Sequence, residues 1–103
     1  NREPEGITAE IIHNINSIHN SVISLDSPSG LDATKGKISD VIIKANATLT
    51  LALPKSGLLK PEVQSYVGDL YIADISIPLV LYSQLGLNVP YLFNEDTVIP
   101  YKI

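Results

Sequence analysis

The stretch Val22–Asp32, which reads VISLDSPSGLD, constrains the fold of this chain more than any other part of its sequence. The segment that opens it, Ser21–Leu25, is apolar and β-branched, as expected for a strand covered on both faces of a parallel sheet. Pro28 and Gly30 then require a sharp turn, because proline fixes its own φ and glycine permits a positive one. In open α/β sheets, ligands bind beyond the carboxyl ends of the strands. The sequence therefore predicts a site in the loop that begins at Asp26.

The composition indicates a folded domain with an aliphatic core. The chain has 103 residues, of which 45% are hydrophobic, with one Phe, five Tyr and no Trp. A net charge of −4 with scattered basic residues argues against a nucleic-acid or anionic-membrane partner. The absence of cysteine fits a reducing compartment, and no signal peptide or membrane-spanning run can be recognised. We therefore expect a soluble, cytoplasmic protein.

The apolar patterns predict strands that alternate with helical segments. Isoleucines at 7, 11, 12, 15 and 18 recur at helical spacing, so a helix of about three turns precedes the first strand. Further strands are predicted at Ala47–Leu53 and Leu70–Ile75, and such alternation indicates an α/β fold with a mainly parallel sheet. The other expected features are an apolar run at Val41–Ile43, a helical turn at Glu62–Tyr66, a helix at Leu79–Leu85 with Pro78 in its first turn and Gly86 as its cap, and a short edge strand at Val98–Ile99.

Each candidate residue of the loop also has a purely structural interpretation. Asp26 either belongs to a ligand site or closes the turn by accepting hydrogen bonds from the following backbone amides. Asp32 favours the turn role, because Asp-Ala-Thr-Lys-Gly is a competent turn by itself. Ser29 offers hydroxyl and carbonyl oxygens to a hard cation, or simply forms part of the loop.

Several other kinds of site are not supported. Asp74 is expected to cap the helix that follows Pro78. His13 and His19 do not share a helix face, so a zinc site is not predicted. The glycines match neither dinucleotide-binding nor phosphate-loop fingerprints, and no nucleophile lies beside a base in the pattern.

A series of short motifs nevertheless resembles one known family. In chain order, the motifs are Arg2-Glu3-Pro4, Ile15-Asn16, Leu25-Asp26-Ser27-Pro28-Ser29-Gly30-Leu31-Asp32, Ala45-x-Ala47-Thr48-Leu49-Thr50, Pro54-Lys55-x-Gly57-Leu58, Tyr66-x-Gly68 and Asp74-Ile75-x-Ile77-Pro78. This series resembles the YjeF N-terminal domain family, the NAD(P)H-hydrate epimerases, whose mammalian member is also called apolipoprotein A-I-binding protein.

The resemblance implies a fold, a reaction and two site residues. Members are Rossmann-like three-layer α/β/α sandwiches, usually homodimeric, that interconvert the R and S forms of NADHX and NADPHX. The family's proposed acid/base, which also contacts the hydrated cofactor, corresponds to Asp26. A serine that helps to hold a potassium ion corresponds to Ser29.

The resemblance also implies that residues 1–103 form the C-terminal half of a single domain. The family's Asn-Asn-Gly-Gly-Asp-Gly stretch and a further potassium-binding Asp belong to the N-terminal half, which we expect as a partner of this chain. Departures within the matched region are Glu5 for an aromatic residue, Ser27 for Ile and Ser76 for Gly. The alternative is a catalytically inactive binding or dimerisation module, as in the related enhancer-of-decapping proteins.

Overall fold

The computed structural model describes residues 3–18, 20–75, 79–87 and 97–101. Within these ranges, helical segments and strands alternate as the sequence pattern predicts, except that the strands at Ile23–Leu25 and Ala47–Leu51 follow each other without a helix between them. The predicted position of Pro78, the position of His19 and residues 88–96 of the predicted irregular tail lie outside the described residues. The elements are α1 (Gly6–Ser17), β1 (Ile23–Leu25), β2 (Ala47–Leu51), two 3₁₀ turns (Ser56–Leu58 and Pro61–Val63), α2 (Gln64–Val67), β3 (Asp69–Ala73), α3 (Leu79–Gln84) and β4 (Val98–Tyr101).

The four described strands form one sheet in the order β1-β2-β3-β4. β1, β2 and β3 are parallel neighbours, and β4 pairs antiparallel with β3. Pro100 lies in β4 opposite Tyr71. Proline has no backbone N–H to donate to a neighbouring strand, so within sheets it is found mainly on edge strands. The chain is therefore an α/β, Rossmann-like unit with a mainly parallel sheet, as predicted.

The prediction that β1 is covered on both faces is wrong for the described residues. β1 is the other edge strand of the sheet, and Ile23 and Leu25 are 75% and 68% exposed, whereas Ser24 between them is buried. Alternation within a three-residue strand places Ile23 and Leu25 on the same face. The apolar side chains of β1 thus lie on a face of the sheet, and at an edge of it, that no described residue covers.

Helix α1 packs through part of its isoleucine stripe. Ile12 is buried against Ile43 and Ala45, and Ile15 packs beside them, whereas the other isoleucines of the stripe are exposed. Asn16 pins the helix to the chain before β2, because its amide donates to the Ile42 carbonyl at 2.7 Å and its side-chain oxygen accepts from the Lys44 amide at 2.9 Å. This bidentate contact sets the distance between α1 and that segment.

The apolar run Val41–Ile43 does not form a strand, although Ile42 and Ile43 are buried and Val41 is partly buried. Ile42 packs in the larger of two core clusters and Ile43 in the smaller, so these consecutive side chains contact different parts of the core. The backbone bonds of this run go to loops instead of a ladder; the Ile43 amide, for example, donates to the Ser29 carbonyl. The larger cluster comprises Leu31, Ile42, Leu58, Val63, Val67 and Leu70.

Two fully buried threonines on β2, Thr48 and Thr50, both have hydrogen-bond partners. The Thr48 hydroxyl donates to the Val67 carbonyl at 2.8 Å, which joins β2 to α2. The Thr50 hydroxyl accepts from the ammonium of Lys55 at 2.8 Å. Buried hydroxyls that keep hydrogen bonds avoid the desolvation penalty of an unpaired polar group.

No helix in the described part of the chain is long and apolar enough to cross a membrane.

Candidate functional site

The candidate site begins with a tight turn centred on Asp26. The Asp26 amide still donates to the Leu49 carbonyl at 2.7 Å and so continues the pairing of β1 with β2. The next amide, of Ser27, donates back to the Leu25 carbonyl at 2.9 Å, and Asp26 has a φ of 71°. A three-residue turn with a positive central φ is the rare, strained form of γ-turn. The chain therefore leaves the sheet at Asp26 itself, two residues before the predicted turn at Pro28.

The neighbouring strand ends in the same way. Ala52 follows β2 with a φ of 65°, its amide donates to the Ala73 carbonyl at 2.8 Å, and the Leu53 amide donates back to the Leu51 carbonyl at 2.8 Å. Positive φ is unfavourable for alanine because its Cβ crowds the backbone, so this turn is strained as well. Two strained turns thus follow the carboxyl ends of two adjacent parallel strands. Ligand sites of α/β proteins lie beyond these strand ends.

The second turn directs Lys55 back toward the first. The Lys55 ammonium lies 3.1 Å from Asp26 Oδ1, and the side chains of Lys55 and Asp26 are 35% and 56% exposed. The same ammonium donates to Thr50 Oγ1 at 2.8 Å and approaches the Leu51 carbonyl oxygen at 3.4 Å. The Asp26 carboxylate is therefore solvent-accessible and held by a cation from the segment that follows the neighbouring strand.

A third turn, which lies within the loop after Asp26, carries Ser29 and Gly30. The Leu31 amide donates to the Pro28 carbonyl at 3.0 Å, and Gly30 has a φ of 96°, the sign that a type II turn requires at its third position. A Cβ on Gly30 would lie 2.2 Å from the Val41 carbonyl oxygen. The loop can therefore pack against the Val41–Ile43 segment only with glycine at this position.

Asp32 acts as a turn residue, as its pattern predicts. Its Oδ1 accepts from the amides of Thr34 and Lys35 at 2.9 and 3.1 Å, and its carbonyl accepts from the Gly36 amide at 2.7 Å. These contacts close the turn that follows the site loop. Asp32 also contributes to the groove next to it.

Ser29 lines a groove of about 510 Å³ between the loop and the start of the chain, and Asp26 is not among the described residues that line it. Ser29 is exposed, so its hydroxyl is accessible to a ligand. The groove is rich in oxygen atoms and carries more acidic than basic side chains. Its lining includes Glu3, Glu5, Ser27, Ser29, Asp32 and Ser39, with Lys37 as a positive charge.

The structure therefore places the two predicted site residues on one loop but in different surroundings. Asp26 lies at the sheet edge beside Lys55, and Ser29 lies on the groove. Sequence reasoning assigned no role to Lys55, and the signal that could have pointed to it is its place in the Pro54–Leu58 motif.

Two other candidates of the sequence analysis are Asp74 and His13. The Asp74 amide donates to the Thr97 carbonyl at 2.7 Å, which joins the end of β3 to the start of β4, and its predicted capping role concerns residues outside the described ranges. His13 is exposed on α1. Among the residues that the structure describes, no three His, Cys, Asp or Glu side chains are grouped as metal ligands.

Comparison with known proteins gives consistent relatives. An NAD(P)H-hydrate epimerase of Truepera radiovictrix is 42% identical over 85 residues, which are 82% of this chain and 37% of that protein. One of Dehalogenimonas lykanthroporepellens has the same identity over the same length, which is 33% of that protein. A bifunctional NAD(P)H-hydrate repair enzyme Nnr of Moorella thermoacetica is 40% identical over 83 residues, which are 81% of this chain and 16% of that protein.

The chain thus spans about a third of the length of the two epimerases. The sequence profile described as YjeF-related protein N-terminus matches residues 1–57, which include α1, β1 and the whole Asp26–Asp32 loop. The match covers more than half of the chain and includes its candidate site. We conclude that this chain belongs to the YjeF-related N-terminal domain family.

Proposed function

We propose that the protein containing this chain is an NAD(P)H-hydrate epimerase, which interconverts the R and S forms of NADHX and NADPHX. The observation that carries this proposal is the exposed Asp26 carboxylate at the carboxyl edge of a parallel sheet, on a strained turn and beside Lys55. Family relatives that bear the epimerase name support the choice of reaction.

Asp26 is the proposed acid/base, and it would also contact the hydrated cofactor. Epimerisation requires the ring hydroxyl to leave as water after gaining a proton, and water to add to the opposite face with loss of a proton. One carboxyl group can deliver and then recover that single proton, so the cycle is balanced and needs no further reactant. An exposed side chain at a strand end is accessible to a bound dinucleotide, as this role requires.

Ser29 is the proposed potassium ligand. Hard cations prefer oxygen ligands, and the groove around Ser29 is lined by residues with hydroxyl and carboxylate groups and carries an excess of negative charge. Potassium bound there would organise the loop and the substrate phosphates. The acidic side chains of Glu3, Glu5 and Asp32 support a cation in this groove.

Residues 1–103 are proposed to be the C-terminal half of one domain, completed by an N-terminal half that covers β1. The exposure of Ile23 and Leu25 on an edge strand supports this proposal, because such an edge offers both apolar surface and unpaired backbone groups. By family resemblance we further propose that the whole protein is a cytoplasmic homodimer.

The test is a chromatographic time course of the NADHX epimer ratio with the full-length protein, starting from one epimer in potassium buffer. Wild type should speed equilibration, and Asp26→Asn should lower the rate by about 10²- to 10⁴-fold, because it removes the proton-transfer group. Asp69→Asn is the matched control, since Asp69 is exposed at the start of β3, away from this edge.

Two outcomes would contradict the proposal. A folded Asp26→Asn variant with wild-type rate would remove Asp26 from the mechanism. A folded wild type that leaves the epimer ratio at its spontaneous rate would refute the epimerase and favour the binding or dimerisation module. For Ser29→Ala, the potassium concentration that gives half-maximal rate should rise, measured with tetramethylammonium as the replacement ion, and an unchanged value would argue against Ser29 as a ligand.

A further inference from the structure

The Lys55 ammonium connects the proposed acid/base to the rigid part of the sheet. Its donors have three acceptors within reach: Asp26 Oδ1 at 3.1 Å, Thr50 Oγ1 at 2.8 Å and the Leu51 carbonyl oxygen at 3.4 Å. Thr50 is fully buried in β2, and Leu51 ends that strand. The position of the ammonium is therefore determined by β2, and the loop that carries Asp26 does not determine it.

This arrangement differs from an ordinary surface ion pair. Exposed pairs usually contribute little to stability, because two long side chains must lose freedom to meet. Lys55 is only 35% exposed, and its contact with Thr50 already restrains it. The Asp26 side chain is more than half exposed, so packing restrains it less, and its contact with Lys55 restricts where the carboxylate can lie. The pair therefore matters for geometry more than for stability.

The contact also distinguishes the two oxygens of the carboxylate. Lys55 engages Oδ1, so Oδ2 is the oxygen that stays available for proton exchange with a substrate. The strained turn sets the direction of the Asp26 Cα–Cβ bond, and Lys55 sets the rotation of the carboxylate beyond it. Both restraints come from the ends of adjacent strands, so they hold Asp26 before substrate arrives.

We propose that Lys55 is a positioning residue for Asp26, which holds Oδ1 so that Oδ2 faces the hydrated nicotinamide ring. This inference rests on the proposed epimerase function. Misplacement of a reacting group by about 1 Å can cost about a hundredfold in rate, although the group itself is intact. Loss of Lys55 should therefore lower kcat while substrate binding by the rest of the site persists.

The experiment measures kcat and KM for epimerisation of one NADHX epimer by full-length Lys55→Met, Lys55→Arg and Lys44→Met, together with their melting temperatures. Lys44 is an exposed lysine before β2 whose replacement makes the same charge change away from Asp26. Lys55→Met should lower kcat about tenfold to a hundredfold with KM within about twofold of wild type. Lys55→Arg should recover part of kcat, because it restores a cationic donor beside Asp26. Lys44→Met should match wild type.

A second variant tests the same idea through the anchor. Thr50→Val keeps the volume of Thr50 but removes the oxygen that holds Lys55, so it should also lower kcat, with Asp26 and Lys55 both present. It serves as the decisive variant if Lys55→Met does not fold.

The outcomes separate the two proposals. An active wild type whose Lys55→Met or Thr50→Val variant keeps kcat within about twofold of Lys44→Met overturns the positioning role and leaves the epimerase proposal intact. An equal fall of kcat in Lys44→Met also overturns it, because the effect is then one of net charge. A folded wild type that does not epimerise NADHX overturns both.

Discussion

Replacing Gly30 with alanine tests how closely the site loop packs on the chain before β2. Gly30 has a φ of 96°, a conformation that costs an L-residue about 1–2 kcal/mol. The new Cβ would also lie 2.2 Å from the Val41 carbonyl oxygen and 2.8 Å from Ile42 Cα, both of which are backbone atoms that cannot rotate away. Forcing extra volume into a packed site costs about 1–3 kcal/mol. The two terms give a loss of about 2–5 kcal/mol, a large part of the stability of an ordinary domain.

The assay is urea unfolding of the full-length protein, with Gly86→Ala as the matched control. Gly86 has a similar φ of 76°, but a Cβ there meets nothing within 4 Å. Gly86→Ala should therefore lose only the conformational term of about 1–2 kcal/mol. The difference between the two variants measures the clash with the Val41–Ile43 segment.

Equal losses in free energy of unfolding for Gly30→Ala and Gly86→Ala would refute this reasoning. They would mean that Val41 does not approach Gly30 as closely as the structure places it. The same variant should also lower the rate of the proposed epimerisation where it is folded, because Gly30 lies between Ser29 and the buried Leu31 in the turn that positions the loop.

Three further substitutions have effects on the free energy of unfolding that follow from single contacts. Asn16→Ala leaves two backbone groups without their side-chain partner and should cost about 1–3 kcal/mol, whereas Asn14→Ala on the same helix, which is exposed, should stay within about 0.5 kcal/mol. Thr48→Val keeps the volume but deprives a carbonyl of its buried donor, and it should cost about 1–3 kcal/mol. Ala52→Gly should stabilise by about 0.5–1 kcal/mol because it relieves a positive φ, whereas Ala47→Gly in the regular part of β2 should destabilise by a similar amount.

Denaturant midpoints check all three, and each has a distinct contradicting result. Equal losses for Asn16→Ala and Asn14→Ala would argue against the pin between α1 and the chain before β2. An unchanged midpoint for Thr48→Val would argue against the hydrogen bond to α2. A loss for Ala52→Gly equal to that for Ala47→Gly would argue against strain at the end of β2.

The secondary structure could be predicted because its signals are local. The isoleucine spacing of α1, the β-branched pattern of β2 and the turn residues Pro28 and Gly30 each act through neighbouring positions, so the pattern reports them directly. The edge strand predicted at Val98–Ile99 and the mainly parallel sheet are confirmed, whereas the antiparallel direction of β4 was not predicted. The exception, β1, shows the limit of such signals, because a pattern can indicate apolar faces without showing what covers them.

The sequence by itself determined where the main helices and strands lie, the loop that carries Asp26 and Ser29, and the family that the motifs indicate. Only the tertiary structure decided that Lys55 reaches Asp26, that Val41 approaches Gly30 and that both strand ends carry strained turns. The physical reason is that these contacts depend on the register of β1 against β2 and on the path of the intervening chain. Neither is recorded in the propensity of any single residue, so the surroundings of Asp26 are set by neighbours that are distant in sequence.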